Sequence, residues 1–374
     1  MSRTGRVGIG VIGAGVISSQ YLDNLTTFPD LEVLFVGDMI LERAKAQAAK
    51  YGVPGSGTVE DLLAHPEIEI VVNLTPPAAH VGIALQALSV GKSVWTEKPF
   101  ALDRVSGKTL LDEAARLGLR VATAPDTFLG AGLQTALRLI EAGEIGTPLT
   151  ALALMQSPGP DSWHPNPEFL FQEGGGPLFD MGPYYLTTLV QTFGPVKRVT
   201  AAASTSRPVR VIGSGPRAGT KFNVTVPSHH GALIDFESGA SAQTIFSFQS
   251  HRKRTGFVEV SGTTATIAFP DPNNFDGDSM LFDGTDDKGR QVPAIGSKST
   301  RGTGVAELAQ AIRAGRPERA NGALAYHVLD IMVSIAESAQ GGETVTVETS
   351  FEKAPAVPAG WDPKGRGSLI GDGA

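Results

Sequence analysis

Glu97-Lys98-Pro99, and Asp180 with Tyr184, carry the side-chain types needed for proton transfer. A lysine supplies a fixed positive charge or a proton relay, and a tyrosine whose phenolate is stabilised by such a charge accepts a hydroxyl proton at neutral pH. Pro99 biases Lys98 toward extended backbone and closes the short run Ser93 to Thr96, so the lysine leaves a strand at its carboxyl end. Asp180 and Tyr184 follow the run Gly174 to Pro177 and stand four residues apart, on one face of a helix. If Lys98 approaches Tyr184 it lowers the phenol's pKa, leaving Asp180 to hold a substrate hydroxyl or to orient the lysine. The plainer alternatives are a solvated lysine, Asp180 as a helix cap and both tyrosines as core or interface aromatics. Tyr185, about 100° further round the helix, fits that plainer role.

A second constellation points to a dinucleotide. Gly13-Ala14-Gly15-Val16-Ile17-Ser18 is G-x-G-x-x-S, one glycine short of the full fingerprint. Its context strengthens it: a strand pattern precedes it, a helical pattern follows, and Asp38 closes the second strand. Gly13 permits the tight turn, Gly15 lets backbone approach a pyrophosphate at the helix N-terminus, and Ser18 is nearly as small as the missing glycine. Asp38 can accept both ribose hydroxyls and would repel a 2′-phosphate, which favours NAD over NADP. Thr75, Pro76 and His80, in Asn73 to His80, and Glu97 with Lys98 fall at other strand carboxyl ends, where open α/β sheets bind ligands. His80 as a plain helix-opening residue is an equal alternative. Asp126 and Phe128 follow the last of these strands and are substrate-side candidates by the same argument. Trp163 and His164, among Pro165 and Pro167, read as a rigid wall suited to stacking on a ring and bonding its hydroxyls, with a packed surface loop as an equal alternative for either residue.

These positions require a scaffold, and the pattern supplies one. Strands are expected at Val7 to Ile12, Glu32 to Val36, Ile68 to Asn73, Ser93 to Thr96 and Arg120 to Ala122. Helices at Leu41 to Tyr51, Ala78 to Val90 and Ser106 to Leu117 alternate with them, giving a Rossmann-like parallel sheet over residues 1–125. Residues 126–350 read differently. Helices are expected at Gly132 to Ala142, Leu178 to Phe193, Val305 to Ala314 and Ala323 to Ala339, around strands at Leu149 to Gln156, Ala232 to Glu237, Gln243 to Phe248, Phe257 to Ser261, Thr264 to Phe269 and Thr344 to Val347. The fold class is therefore α/β plus α+β, the second domain holding a large, mostly antiparallel open sheet flanked by helices. Residues 351–374 read as an extended or mobile tail.

The 374 residues suffice for two domains. Their 31 basic and 38 acidic side chains give −7, with no general attraction to nucleic acid or anionic membrane. The run His251 to Arg254 reads as a solvated loop or strand end. There is no cysteine, so no thiolate chemistry, and His229 and His230 lack the neighbours of a metal site. No apolar stretch is long enough to span a bilayer, and the start leaves no room for a signal peptide, so a cytoplasmic protein is expected.

The segments GVIGAGVIS, TPPAAH, WTEKPF and GGGPLFDMGPYYL together resemble the glucose-fructose oxidoreductase, inositol dehydrogenase and rhizopine-catabolism oxidoreductases, the Gfo/Idh/MocA family. The resemblance spans nearly the whole chain. It implies a catalytic Lys98 from the E-K-P motif, and Asp180 and Tyr184 from G-G-G-x-x-x-D-x-G-x-[HY]. Inositol dehydrogenase-like members carry histidine at the last position, so Tyr184 directs the reading toward sugar dehydrogenases. The expected activity is NAD-dependent transfer of hydride from a secondary hydroxyl or hemiacetal carbon of a sugar or cyclitol. The resemblance also implies a homodimer or homotetramer through the C-terminal sheet. Two alternatives stay open: a non-catalytic nucleotide-sensing regulator, and a sugar-sugar oxidoreductase that keeps its cofactor.

Overall fold

A computed structural model describes residues 5–285 and 287–365. The described residues form two compact units, the first gathering 5–131, 295–326 and 354–365, the second 132–285, 287–294 and 327–353. The expected consecutive segments 1–125, 126–350 and 351–374 thus give way to an interleaved arrangement. Its physical cause is that late segments complete the first unit: Arg313 pairs with Glu69 at 2.6 Å, and the Arg120 guanidinium donates to Arg316 O at 2.7 Å.

In the first unit β1 (Val7–Ile12), β2 (Leu31–Gly37), β3 (Gly55–Gly57), β4 (Ile70–Asn73), β5 (Ser93–Thr96) and β6 (Val121–Thr123) form a sheet in the order β3-β2-β1-β4-β5-β6. Every pairing is parallel. The crossover helices are α1 (Val16–Leu25), α2 (Leu41–Tyr51), α3 (Val59–Ala64), α4 (His80–Ser89) and α5 (Arg104–Leu117). Strand β1 is buried throughout, as a central parallel strand covered on both faces must be. Both β3 and α3 are additional to the expected elements. Helix α3 opens on a capping box, Thr58 Oγ1 accepting from Asp61 N while Asp61 Oδ2 accepts from Thr58 N.

In the second unit nine strands make one sheet: β7 (Pro148–Gln156), β8 (Val196–Ser204), β11 (His229–Phe236), β12 (Ser241–Ser247), β13 (Arg254–Gly262), β14 (Thr266–Ala268), β15 (Ser279–Phe282), β16 (Arg290–Val292) and β17 (Val345–Thr346). Among the described residues only β7 and β12 pair in parallel; the remaining pairings of this sheet are antiparallel. Helix α6 (Ala131–Glu141) precedes β7, and α7 (Gly176–Phe193) packs on β7, β11 and β12. Strands β9 (Val209–Val211) and β10 (Lys221–Asn223) form a separate hairpin; α8 (Thr303–Ala314) belongs to the first unit, and α9 (Gly322–Gly341) precedes β17. Arg254, last of the basic run, opens β13.

The tail is held rather than loose in its described part. Phe351 and Val357 are buried, and the Trp361 indole donates to Gln310 Oε1 at 2.7 Å. Residues 366–374 of that expectation lie outside the described residues.

Buried histidines make the fold acid-sensitive. His327 Nε2 accepts from Val196 N at 3.0 Å, so its proton sits on Nδ1, 2.9 Å from Thr349 Oγ1. Burial pushes His327 and His230 down to about 4. Both are neutral when folded and charge more readily when unfolded. Their stability contribution is therefore complete above about pH 6.5 and is lost as pH falls toward 4, on the order of 3 kcal/mol for each. Thermal melts across that range should show His327→Gln with a shallower acid decline than the parent; parallel curves would contradict this assignment.

Candidate active site

The first unit builds its ligand face at the carboxyl ends of β1, β2, β4 and β5. Gly13 has φ 101°, and a Cβ there would strike the Leu74 carbonyl, so the turn requires glycine. Gly15 is the N-cap of α1, with no side-chain cap and nothing within 4 Å of where a Cβ would stand. This open backbone at a helix N-terminus fits a pyrophosphate. Ser18, at the third glycine position, is fully buried and its Oγ donates to Gly15 O at 2.6 Å. Val16 is 90 % exposed beside the turn, with Ile17 partly covered.

Asp38 is tied into the same turn. Its Oδ2 accepts from Ala14 N at 2.7 Å and its Oδ1 from Ile40 N at 2.8 Å, fixing the carboxylate while leaving each oxygen a further lone pair. Met39, which follows, is 94 % exposed. The residues present therefore fit an adenosine dinucleotide.

Strand β4 ends in a knot of side chains. Buried Asn73 donates from Nδ2 to His80 O and accepts at Oδ1 from Thr75 N and Thr75 Oγ1. Pro76 is exposed beside them. His80 is almost fully buried, its Nδ1 2.8 Å from Pro99 O and its Nε2 2.8 Å from Thr75 O; burial lowers its pKa. His80 thus opens α4 with its ring engaged within the protein, as in the alternative reading of it as a plain helix-opening residue. Both ring nitrogens face carbonyls, one on the Thr75 loop and one on the lysine turn, and the neutral ring, with a single N–H, donates to one of them.

Lys98 stands half-buried at the end of β5. Glu97 before it is buried, with Oε1 accepting from Tyr21 Oη at 2.7 Å and Oε2 from Lys98 N at 3.1 Å. The Glu97 carboxylate therefore braces the turn.

Asp126 and Phe128 also depart from expectation. Asp126 is fully buried, its Oδ2 accepting from Gly302 N and Gly304 N, each at 3.0 Å, with Arg301 Nη1 3.7 Å from Oδ1. It anchors the start of α8, and burial raises its pKa while Arg301 and these amides oppose the rise. Phe128 is 2 % exposed. Neither side chain is open to substrate. Gly304 allows this packing, since a Cβ there would collide with Trp95.

In the second unit, α7 begins at Gly176 after an N-cap at Gly175 whose Cβ would strike Phe169 O. Asp180 therefore lies within the helix and is not its cap. It is partly exposed, and Tyr184 one turn on is 6 % exposed. Tyr185 takes the core role: it is fully buried, and its hydroxyl accepts from Gly256 N at 2.7 Å.

The loop before α7 presents Trp163, 66 % exposed, edge-on to His164, which is edge-on to Phe169, with ring centroids 5.5 Å apart in both pairs. Contacts from the β9–β10 hairpin, buried at Arg210, exposed at Arg217 and half-buried at Ser214, hold this loop. Arg210 pairs with Asp161 at 2.7 Å, Arg217 pairs with Glu168, and Ser214 Oγ donates to Trp163 O at 2.6 Å. The sequence reading missed Arg210, Tyr21 and Arg301; none has a local motif to mark it. Among the described residues, no group of three His, Cys, Asp or Glu side chains is arranged to hold a metal.

Residues 7–124 match the oxidoreductase family with an NAD-binding Rossmann fold, and residues 133–268 match the GFO/IDH/MocA C-terminal domain. An uncharacterized oxidoreductase of Rhizobium meliloti is 28 % identical over 273 residues, covering 72 % of this chain and 75 % of that protein. The trans-1,2-dihydrobenzene-1,2-diol dehydrogenase of Bos taurus is 26 % identical, covering 70 % and 74 %. Among solved structures, levoglucosan dehydrogenase in complex with NADH and L-sorbose superposes with a TM-score of 0.80 at 22 % identity, covering 92 % and 99 %, a likeness of fold.

Proposed function

This chain belongs to the Gfo/Idh/MocA family of oxidoreductases, and from that premise we propose that it is an NAD-dependent dehydrogenase of a cyclic, polyhydroxylated substrate. The observation that carries the reading is the pairing of an open dinucleotide turn, fixed by Asp38, with a lysine held at the end of β5. Bound NAD supplies the hydride acceptor. Lys98 stabilises the charge that develops as the substrate hydroxyl loses its proton, Tyr184 accepts that proton, and Asp180 holds a neighbouring hydroxyl. Trp163 and His164 offer a ring-stacking wall with a hydrogen-bonding edge.

NAD is favoured over NADP because Met39, Ile40, Leu41 and Glu42 follow Asp38, with no cation to balance a 2′-phosphate before Arg43. Purified protein mixed with NAD or NADP and, in turn, levoglucosan, D-xylose, D-glucose, myo-inositol and trans-1,2-dihydrobenzene-1,2-diol provides the test. Reduced nicotinamide should accumulate with at least one ring substrate, at least tenfold faster with NAD at limiting cofactor. Equal or faster reduction of NADP would overturn the cofactor assignment. Leu152 and Leu233 sit in one cross-strand row through Gln243 and are exposed on the open sheet, which supports a homodimer or homotetramer through that face.

A further inference from the structure

The Lys98 turn is tied to α1 by a buried chain of hydrogen bonds. Trp95 Nε1 donates to Tyr21 Oη at 3.1 Å, and Tyr21 Oη lies 2.7 Å from Glu97 Oε1. An indole N–H can only donate, so the Tyr21 oxygen accepts and its single proton points to Glu97. The second carboxylate oxygen of Glu97 accepts from Lys98 N at 3.1 Å. Trp95 and Tyr21 are fully buried and Glu97 is 8 % exposed, so every polar atom in this chain depends on its neighbour.

We propose that Tyr21 is a positioning residue for Lys98, acting by holding the Glu97 carboxylate on the backbone of the lysine turn. The proposal rests on the assignment of Lys98 to the reaction. Glu97 is a negative charge one residue from the working cation. Clamped by Tyr21, it fixes the turn; released, it is free to swing and compete for the Lys98 ammonium, raising the lysine's pKa. Tyr21 is suited to the task because its phenol stays protonated: burial, then the charges of Glu97 and Asp126, push its pKa well up, with Arg301 opposing. The other charged groups beside the turn are Lys98 itself and His80, when the latter is protonated.

The acetylation rate of Lys98 by acetic anhydride, followed against pH by peptide mass spectrometry, reads this without needing a substrate. Tyr21→Phe should move the midpoint of that profile up by about one pH unit. The same substitution added to Glu97→Gln should move it no further than Glu97→Gln alone, because the amide carries no charge to release. Glu97→Asp, which keeps the charge and shortens its reach to Tyr21, should match Tyr21→Phe and serves if that variant does not fold. An unmoved midpoint in the folded Tyr21→Phe protein, or equal movement in both backgrounds, overturns the proposal. Failure of the lysine assignment itself would register separately, as undiminished turnover in Lys98→Ala.

Discussion

Lys98→Ala should lower turnover at saturating NAD and ring substrate by about a hundredfold or more while leaving NAD affinity within a few-fold of the parent. The reasoning is electrostatic. Removing a hydroxyl proton leaves negative charge on oxygen, and an ammonium placed before the reaction begins stabilises that charge without reorganising. The pyrophosphate and ribose contacts expected at Gly15 and Asp38 do not involve this side chain, so binding and chemistry should separate. Tyr184→Phe, which removes a single hydroxyl, should show the same separation. If Lys98→Ala instead loses NAD binding with unchanged turnover, the lysine is a cofactor ligand and its electrostatic role in the reaction falls.

The second large effect concerns stability. Asp126→Ala removes the acceptor of two amides at the start of α8 and strips Arg301 of a carboxylate 3.7 Å away, deep in the first unit. Breaking one side of a buried ionic arrangement costs about 3–5 kcal/mol, so denaturant melts should show a large loss for this variant. A substrate-binding aspartate would behave oppositely, with KM raised and stability near the parent's. That outcome would restore the role its position after β6 suggests.

Asp126 illustrates what was legible in the sequence and what was not. Its place at a strand's carboxyl end is a local signal, and local signals predict the tight glycine turn after β1 and the strands of the parallel sheet well. What occupies Asp126 comes from Gly302 and Gly304, more than 170 residues later, and no local pattern announces such a partner. Tyr21 is similar: within α1 it looks like one more buried aromatic, and its pairing with Glu97 exists only once β5 lies beside α1. Helix α3 was readable through Thr58 and Asp61, a capping-box spacing, but its six residues are too few for a helical period to emerge. The interleaving of the units has the same root, since burial by a distant segment leaves no mark on local periodicity.

The central claim is that this chain moves hydride from a hydroxyl-bearing ring carbon to NAD, with Lys98 stabilising the charge left as the hydroxyl proton departs. Its most direct test is the absorbance of reduced nicotinamide after the parent protein and Lys98→Ala are each mixed with saturating NAD and the substrate panel. The account predicts a steady rise for the parent with at least one ring substrate and a rate about a hundredfold lower for the variant. Equal rates in the two proteins, or no rise with any ring substrate although NAD binds, would contradict it.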